Sequence, residues 1–440
     1  MHPEDKMTFS EIRKYLRLMQ KRYKLASNRR ERSKLLNEMQ AITGFHRKYL
    51  IWLVNSPTIN ITRKPRAKER GPKYNSEVRY VVAIAAKALD YPSAERLKPQ
   101  LVPVAKLLAS HNELSLNQEV LDKLYQISIS TLKRILATIS RDKPRPPSKR
   151  ASPKSSLLKD IPAGSIPWDV KEPGHFEVDL VHHCGPTASG EYICTIQMVD
   201  VATGWVELWA VLGRGYKVMQ DAFLHILHRL PFPIREIHPD NGSEFFNHHL
   251  LRFWKSFPNV RLSRSRPYRK NDNRFVEQRN HFLVRSYIGY DRLDTVAQTI
   301  LLNTIYQKMW IYHNLFLPVM RTVEKVVVPS PSGGYKVKRV YDQAQTPLQR
   351  LEKSGVVNPQ RLELLKRLRD QTNPLRLREE IYELIEELYS LPNATPGVSE
   401  DVYETLGLPI DLPAGLLGSV TLSFEPQPHQ GNIIIYGDYP

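Results

Sequence analysis

Hydrophobic positions in the first 140 residues recur at helical spacing. Leu16, Met19, Tyr23 and Leu25 mark a helical region over 8–55. Within it, "RSKLLNEMQAITGFHRKYLIWLV" (32–54) reads as a helix, a break at Thr43-Gly44 and a second helix with His46, Arg47 and Lys48 in its first turn. That is a helix-turn-helix pattern, although many α-hairpins share it. Residues 76–140 are helical again. Their end, "EVLDKLYQISISTLKRILATI" (119–139), repeats the pattern, and Ser130 is expected to cap a helix carrying Lys133 and Arg134.

From residue 175 the pattern becomes β-rich. "HFEVDLVHH" (175–183), "EYICTIQMVD" (191–200) and "GWVELWAVL" (204–212) are three strands split by glycine-containing turns, two of them hairpin-linked and antiparallel. An amphipathic helix (216–230), a strand "IREIHPD" (234–240), a helix (244–257) and a strand "VRLSRS" (260–265) follow. Further helices are expected over 272–290 and 294–314. Three antiparallel strands followed by strands alternating with helices predict a mixed α/β sheet. A hairpin (321–328 with 335–341) and two helices over 356–390 come next, and the Pro/Gly-rich last 50 residues suggest no fold.

Charge changes the picture more than composition does. The 440 residues carry a net charge of +19, but residues 1–160 hold 34 Lys+Arg against 14 Asp+Glu, and residues 161–440 hold 30 against 31. A polyanion handled by the N-terminal third explains this segregation better than a merely soluble surface does. The segment "ITRKPRAKERGPK" (61–73), with Arg63, Lys64 and Arg66, reads as a basic linker. "RDKPRPPSKRASPK" (141–154) reads as an extended basic tether, or equally as a nuclear localisation run. No apolar run reaches the length of a membrane span, and the first residues lack a signal-peptide stretch. With only Cys184 and Cys194, a disulfide framework is not expected, and a reducing intracellular setting is.

Candidate chemistry rests on three acids. Asp179 lies in the first β-run, Asp240 ends the fourth in "HPDNGSEFF", and Glu277 opens the helix after the fifth. Asp-Asn-Gly is ordinary turn chemistry, so Asp240 alone would mean little. The three positions can converge at one sheet edge, where mutually repelling carboxylates stay ionised only beside a cation. All-oxygen ligands suit Mg²⁺ or Mn²⁺, and a pair of such ions supports phosphodiester chemistry. Arg261, Arg264, Arg266, Arg269 and Lys270 form a basic run beside the third acid, suited to DNA phosphates. Asn273 is placed to orient substrate. His182-His183-Cys184 is read as a strand end whose neighbours face opposite sides, not as a metal cluster. Glu177 is read as structural, Asp200 as facing a turn, Glu244 as a helix-start acid and Asp272 as a helix cap.

Asp179 in "FEVDLV", Asp240 in "HPDNGSEF" and Glu277 in "RPYRKNDNRFVEQRN" together resemble the DDE triad of the retroviral integrase and bacterial insertion-sequence transposase superfamily. The last two acids have 36 residues between them, near that family's interval. The resemblance covers 170–312 strongly. It extends weakly to the helix-turn-helix units and to "YDQAQTPLQRL" (341–351). It implies an RNase H-like core with a mixed five-stranded sheet, the three acids as catalytic ligands for two Mg²⁺ or Mn²⁺ ions, and a strand that ends at Asp240 because a ligand must sit there. It also implies cleavage of element ends and joining of their 3′-OH to target DNA within a homo-oligomeric complex, in a bacterial cytoplasm at the nucleoid. The zinc module of retroviral integrases is absent, since residues 1–170 contain no Cys.

The expected organisation is helix-turn-helix (1–60), linker (61–75), a second helix-turn-helix (76–140), linker (141–168), catalytic core (169–315), hairpin and helices (316–390) and an acidic tail (391–440). Arg47, Lys48, Lys133 and Arg134 are the expected helix-borne DNA contacts. No GxxxxGK[ST] loop is present, so ATP use is not expected of this chain, and any ATPase helper is unspecified. Two rival readings are a metal-dependent nuclease on the same fold and a domesticated DNA-binding protein with an inert core.

Overall fold

The computed structural model describes residues 7–59, 73–143, 163–164, 170–239, 248–257, 259–265, 280–329 and 335–418. The chain divides into two compact units, Met1–Lys73 and Tyr74–Pro440.

The first unit holds α1 (Phe9–Leu25), α2 (Arg29–Thr43) and α3 (Arg47–Asn55). Local chemistry sets each boundary. Thr8 and Glu11 form a reciprocal capping box at the start of α1, and Asn28 caps α2. Gly44 ends α2 in the left-handed region at φ 69°, the break expected at Thr43-Gly44. Leu16, Met19, Leu36, Met39, Leu50 and Leu53 close the core between the three helices.

The second unit opens with α4 (Ser76–Ala88), α5 (Ala94–Ser110), α6 (Gln118–Gln126) and α7 (Ile129–Leu136). Ser128, not Ser130, caps α7: its Oγ accepts from the Thr131 amide at 3.2 Å, and Ser130 lies inside the helix. Hydroxyls two residues apart compete for this role, and the turn after α6 settles it by ending at Ile127. These helices share one hydrophobic core with the sheet that follows, from Val82 and Leu101 to Phe176 and Ile196.

That sheet comprises β1 (His175–His182), β2 (Ile193–Asp200), β3 (Val206–Leu212), β4 (Glu236–Pro239) and β5 (Arg261–Leu262). Its order is β3-β2-β1-β4-β5. The β1–β2 and β2–β3 pairs are antiparallel, whereas β1–β4 and β4–β5 are parallel. Helix α8 (Tyr216–Arg229) provides the crossover from β3 to β4, and α9 (His248–Lys255) lies between β4 and β5. This five-stranded mixed sheet is an RNase H-like fold. β5 is shorter than the expected strand: Arg264–Ser265 pairs separately, in parallel, with Ala163–Gly164.

Two devices hold the sheet in place. Gly174, at φ 113°, precedes β1; a Cβ there would meet the Pro233 carbonyl oxygen at 2.6 Å, so only glycine fits. Its carbonyl accepts from the Arg235 and Glu236 amides, which aligns β4 beside β1. At the other edge, α10 (Val296–Ile311) and the π-helical turn Tyr312–Phe316 cover β3. Asn303 bonds the Ala210 amide and carbonyl at 2.7 and 2.9 Å, and Asn314 bonds those of Val206 at 2.8 and 2.9 Å. Side-chain amides thus replace a sixth strand and close an edge that would otherwise pair with another chain.

The hairpin of β6 (Thr322–Pro329) and β7 (Tyr335–Tyr341) follows as expected. Helices α11 (Pro347–Ser354), α12 (Pro359–Gln371) and α13 (Pro374–Ser390) come after it, the first unanticipated by the sequence. Residues 391–418 have little regular structure yet are anchored: His225 Nε2 bonds the Leu408 carbonyl at 2.7 Å, and the Gly418 amide bonds that of His228. Arg378, 1 % exposed, bonds Asp90 at 3.3 Å and Asp142 at 2.8 Å, tying α13 to the turn after α4. Tyr382 and Tyr287 also donate to Asp90, which adopts φ 54°.

Candidate active site

Register places the site's residues on one face. Directly paired residues point to the same side of a sheet, and alternate residues along a strand do so too. Asp179 pairs with Gln197, Glu177 with His238 and His175 with Glu236. These six share the Asp179 face. Contacts agree: His175 Nδ1 lies 2.9 Å from Glu236 Oε2. Ser263 Oγ donates to Glu236 Oε1 at 2.5 Å, so the 2.7 Å contact with His238 Nδ1 is a bond in which the imidazole N–H donates. Burial raises the Glu236 carboxyl, but bonds from His175 and Ser263 outweigh it and hold the carboxyl below its usual range. A buried polar network therefore fixes the end of β4.

Asp179 is half-buried, and its Oδ1 accepts from the Leu180 amide at 2.9 Å. Val178 pairs with Pro239, the residues immediately before Asp179 and Asp240. Asp240 itself lies outside the described residues, as do Glu277, Asn273, Arg266, Arg269, Lys270, Glu244 and Asp272. Helical structure resumes in the turn Asn280–Arg285 and continues to Ile288. Arg285 Nη2 donates to the His182 carbonyl at 2.8 Å, holding this segment to the end of β1. Burial lowers the Arg285 pKa, and Asp179 is among the anions that support its charge.

The other candidates fall elsewhere. His183 is buried and bonds Thr195, which bonds the Tyr306 hydroxyl; burial, with Arg285 nearby, holds its pKa well down. His182 lies on the opposite side, 3.3 Å from the Tyr192 hydroxyl. Among the described residues no three His, Cys, Asp or Glu cluster to hold a metal. Asp200 does serve a turn, accepting from the Gly174 and Thr203 amides, but is fully buried there. Arg47 donates to Ser33 and Asn37 of α2, while Lys48 is exposed. Lys133 pairs with Glu95, and Arg134 bonds Thr131. Arg63, Lys64 and Arg66 lie outside the described residues, and of Arg264 only the backbone is described. The Glu236–Ser263–His238 network was not anticipated. The polar alternation of Glu236 and His238 in a short strand was its one signal.

Fold and sheet face together define an integrase-type core. Residues 169–270 match the family described as Integrase core domain. An uncharacterized protein, y4rM, of Sinorhizobium fredii (strain NBRC 101917 / NGR234) is 32 % identical over 317 residues, covering 72 % of this chain and 88 % of that protein. This chain belongs to the family of that rhizobial protein, and its residues 169–270 carry an integrase core domain. Solved structures that are similar include the HTLV-2 integrase catalytic core domain in complex with magnesium, at 18 % identity, 34 % of this chain, 91 % of that one and TM-score 0.25. Another is the simian T-cell lymphotropic virus intasome in complex with PP2A regulatory subunit B56 gamma, at 19 % identity, 41 % of this chain and TM-score 0.24. This chain spans 58 % of the length of that intasome chain. Among the described residues no helix is long and apolar enough to cross a membrane.

Proposed function

We propose that this chain is a DDE transposase, with Asp179, Asp240 and Glu277 as its catalytic carboxylates. The observation that carries the reading is the parallel register of Val178 with Pro239. The next residue on each strand is an aspartate, and covalent geometry keeps each within about 3.8 Å (Cα to Cα) of its paired neighbour. Glu277 is tethered three residues before Asn280, the start of the segment that Arg285 fastens to β1.

The donor set fits a hard cation, because an all-carboxylate set of oxygen ligands suits Mg²⁺ or Mn²⁺ rather than zinc. When bound, a pair of such ions would supply activation of the attacking oxygen and stabilisation of the leaving one. The Glu236–Ser263–His238 network holds the strand β4 that leads to Asp240. In the first reaction, water oxygen bonds to phosphorus at an element end as the bond to flanking DNA breaks, freeing a 3′-OH. In the second, that 3′-OH attacks target phosphorus and the target's own 3′ oxygen leaves with a proton. Neither reaction forms a protein–DNA bond or consumes ATP.

Residues 1–60 and 76–140 bind element ends in this reading, joined by basic linkers to the core at 169–315. Arg264, Arg266, Arg269 and Lys270 hold phosphate near the reacting junction, and Asn273 orients it. Two ends must meet, so the active species is a homo-oligomer on nucleoid DNA in the cytoplasm. The test is incubation of the chain and Mg²⁺ with a donor end and a target plasmid. Joined donor–target products support the reading. Hydrolysis without joining favours a nuclease, and DNA binding without either reaction favours an inert, domesticated core.

A further inference from the structure

We propose that α1 carries a phosphate-contacting stripe, Lys14, Arg17 and Lys21 flanked by Arg13, that lies along the backbone of duplex DNA. The inference rests on the reading that the N-terminal unit binds DNA and specifies a surface for it outside the helix-turn-helix's second helix, α3.

The stripe is a product of helical spacing. Positions 14, 17 and 21 recur at three and four residues and share a face, while Leu16 and Met19 turn to the core. Lys14, Arg17 and Lys21 are exposed, and the four cations border one shallow depression with Ser10 and Leu18. Among the described residues no acid neutralises them. The one acid of α1, Glu11, is engaged in the Thr8 capping box, and Glu38 of α2 faces Arg22 at 3.9 Å. Among the described residues no carboxylate lies within ion-pair distance of Arg13, Lys14, Arg17 or Lys21. Like charges a helical turn apart repel, and the described residues offer this face no carboxylate partner, a role that a polyanion can fill.

The first turn of α3 is less available than its sequence implies. Arg47 is bonded to Ser33 and Asn37, and the exposed surface beyond Lys48 includes the stacked pair Tyr49 and Trp52, with ring centroids 5.8 Å apart. Length also suits phosphate. Lys14 to Lys21 spans about 10 Å of helix axis at 1.5 Å per residue. A stripe of that length can lie against neighbouring phosphates of one strand.

The experiment titrates the full chain into a mixed-sequence duplex over a series of salt concentrations. Each phosphate contact contributes about −0.9 to the log–log slope. Lys14→Ala with Arg17→Ala and Lys21→Ala should flatten the slope by roughly two to three. Lys24→Ala with Arg29→Ala and Arg30→Ala removes the same charge from exposed positions of the same unit and should flatten it much less. The swap Lys14→Arg, Arg17→Lys, Lys21→Arg should keep the wild-type slope, which separates charge from folding. A stripe variant with the wild-type slope, or one matched by the control variant, overturns the stripe while leaving DNA binding intact. A wild-type chain with no salt-dependent binding overturns both readings.

Discussion

Arg229→Ala should be among the most damaging single changes in the second unit. Arg229 and Glu207 are both 0 % exposed, and their Nη2–Oε2 distance is 2.8 Å. Burial pushes the Glu207 carboxyl up and the Arg229 guanidinium down. The surroundings decide for the ionised pair. Trp205 Nε1 at 3.0 Å, Trp310 Nε1 at 2.7 Å and Arg229 all donate to Glu207, and a protonated acid would waste one of them. Removing one partner of such a pair costs about 3–5 kcal/mol because the other charge stays buried. Losing the Nη2 bond to the Leu208 carbonyl at 2.9 Å adds to this, while the two indole donors that remain offset part of it. The expected loss is roughly 4 kcal/mol. Urea unfolding followed by tryptophan fluorescence reads it directly, since Trp205, Trp209 and Trp310 surround the pair. Without the cation, the carboxyl keeps the burial that raises its pKa. A raised pKa contributes stability below the unfolded range that is lost as pH rises through the folded value, so the deficit should be smaller at about pH 5 than at about pH 8. The double variant Glu207→Gln, Arg229→Met should recover at least half of the loss. A single variant within about 1 kcal/mol of wild type, or strict additivity in the double, would refute the buried-pair argument.

Asn303→Ala should cost about 2–4 kcal/mol, because it strips both bonds from the Ala210 backbone at the sheet edge, and Asn303→Asp should fail to rescue the lost donor; thermal melting checks both. Burial opposes charge on His225, but bonding and charge from Asp221, with the Leu408 carbonyl, raise its pKa above the usual value. That stability is full below the unfolded histidine range and lost as pH rises through the folded value. Hydrogen exchange at the Gly407 amide, which bonds Asp221, should therefore quicken on raising the pH by more than intrinsic exchange explains, and His225→Gln should remove the excess.

Much of the core was legible because its signals are local. β-rich runs between glycine-containing turns located β1 to β3, a short apolar run before a tight turn located β4, and Gly44 marked the end of α2 through its backbone freedom. Asp179 falls inside β1, as its apolar surroundings implied, whereas Asp240 lies outside the described residues. What escaped depends on distant partners. Asn303 and Asn314 are ordinary helix residues until they meet β3 across about a hundred residues. Asp90, a surface acid by type, is buried by Arg378, 288 positions away in the chain. Arg47 looked free for DNA because its partners, Ser33 and Asn37, lie on another helix. The Ser128 cap of α7 hinged on where α6 stops, a two-residue question that spacing alone leaves open.

The proposed function makes Asp179 a catalytic carboxylate on a DNA-joining face. Its most direct test is Asp179→Asn in the full chain, with strand cleavage, strand joining, end binding and melting temperature measured together in Mg²⁺. The substitution preserves shape and the acceptor for the Leu180 amide while removing the charge. Cleavage and joining should both vanish while end binding and melting temperature stay at wild-type values, with Asp240→Asn and Glu277→Gln behaving alike. Near wild-type cleavage by Asp179→Asn would contradict it.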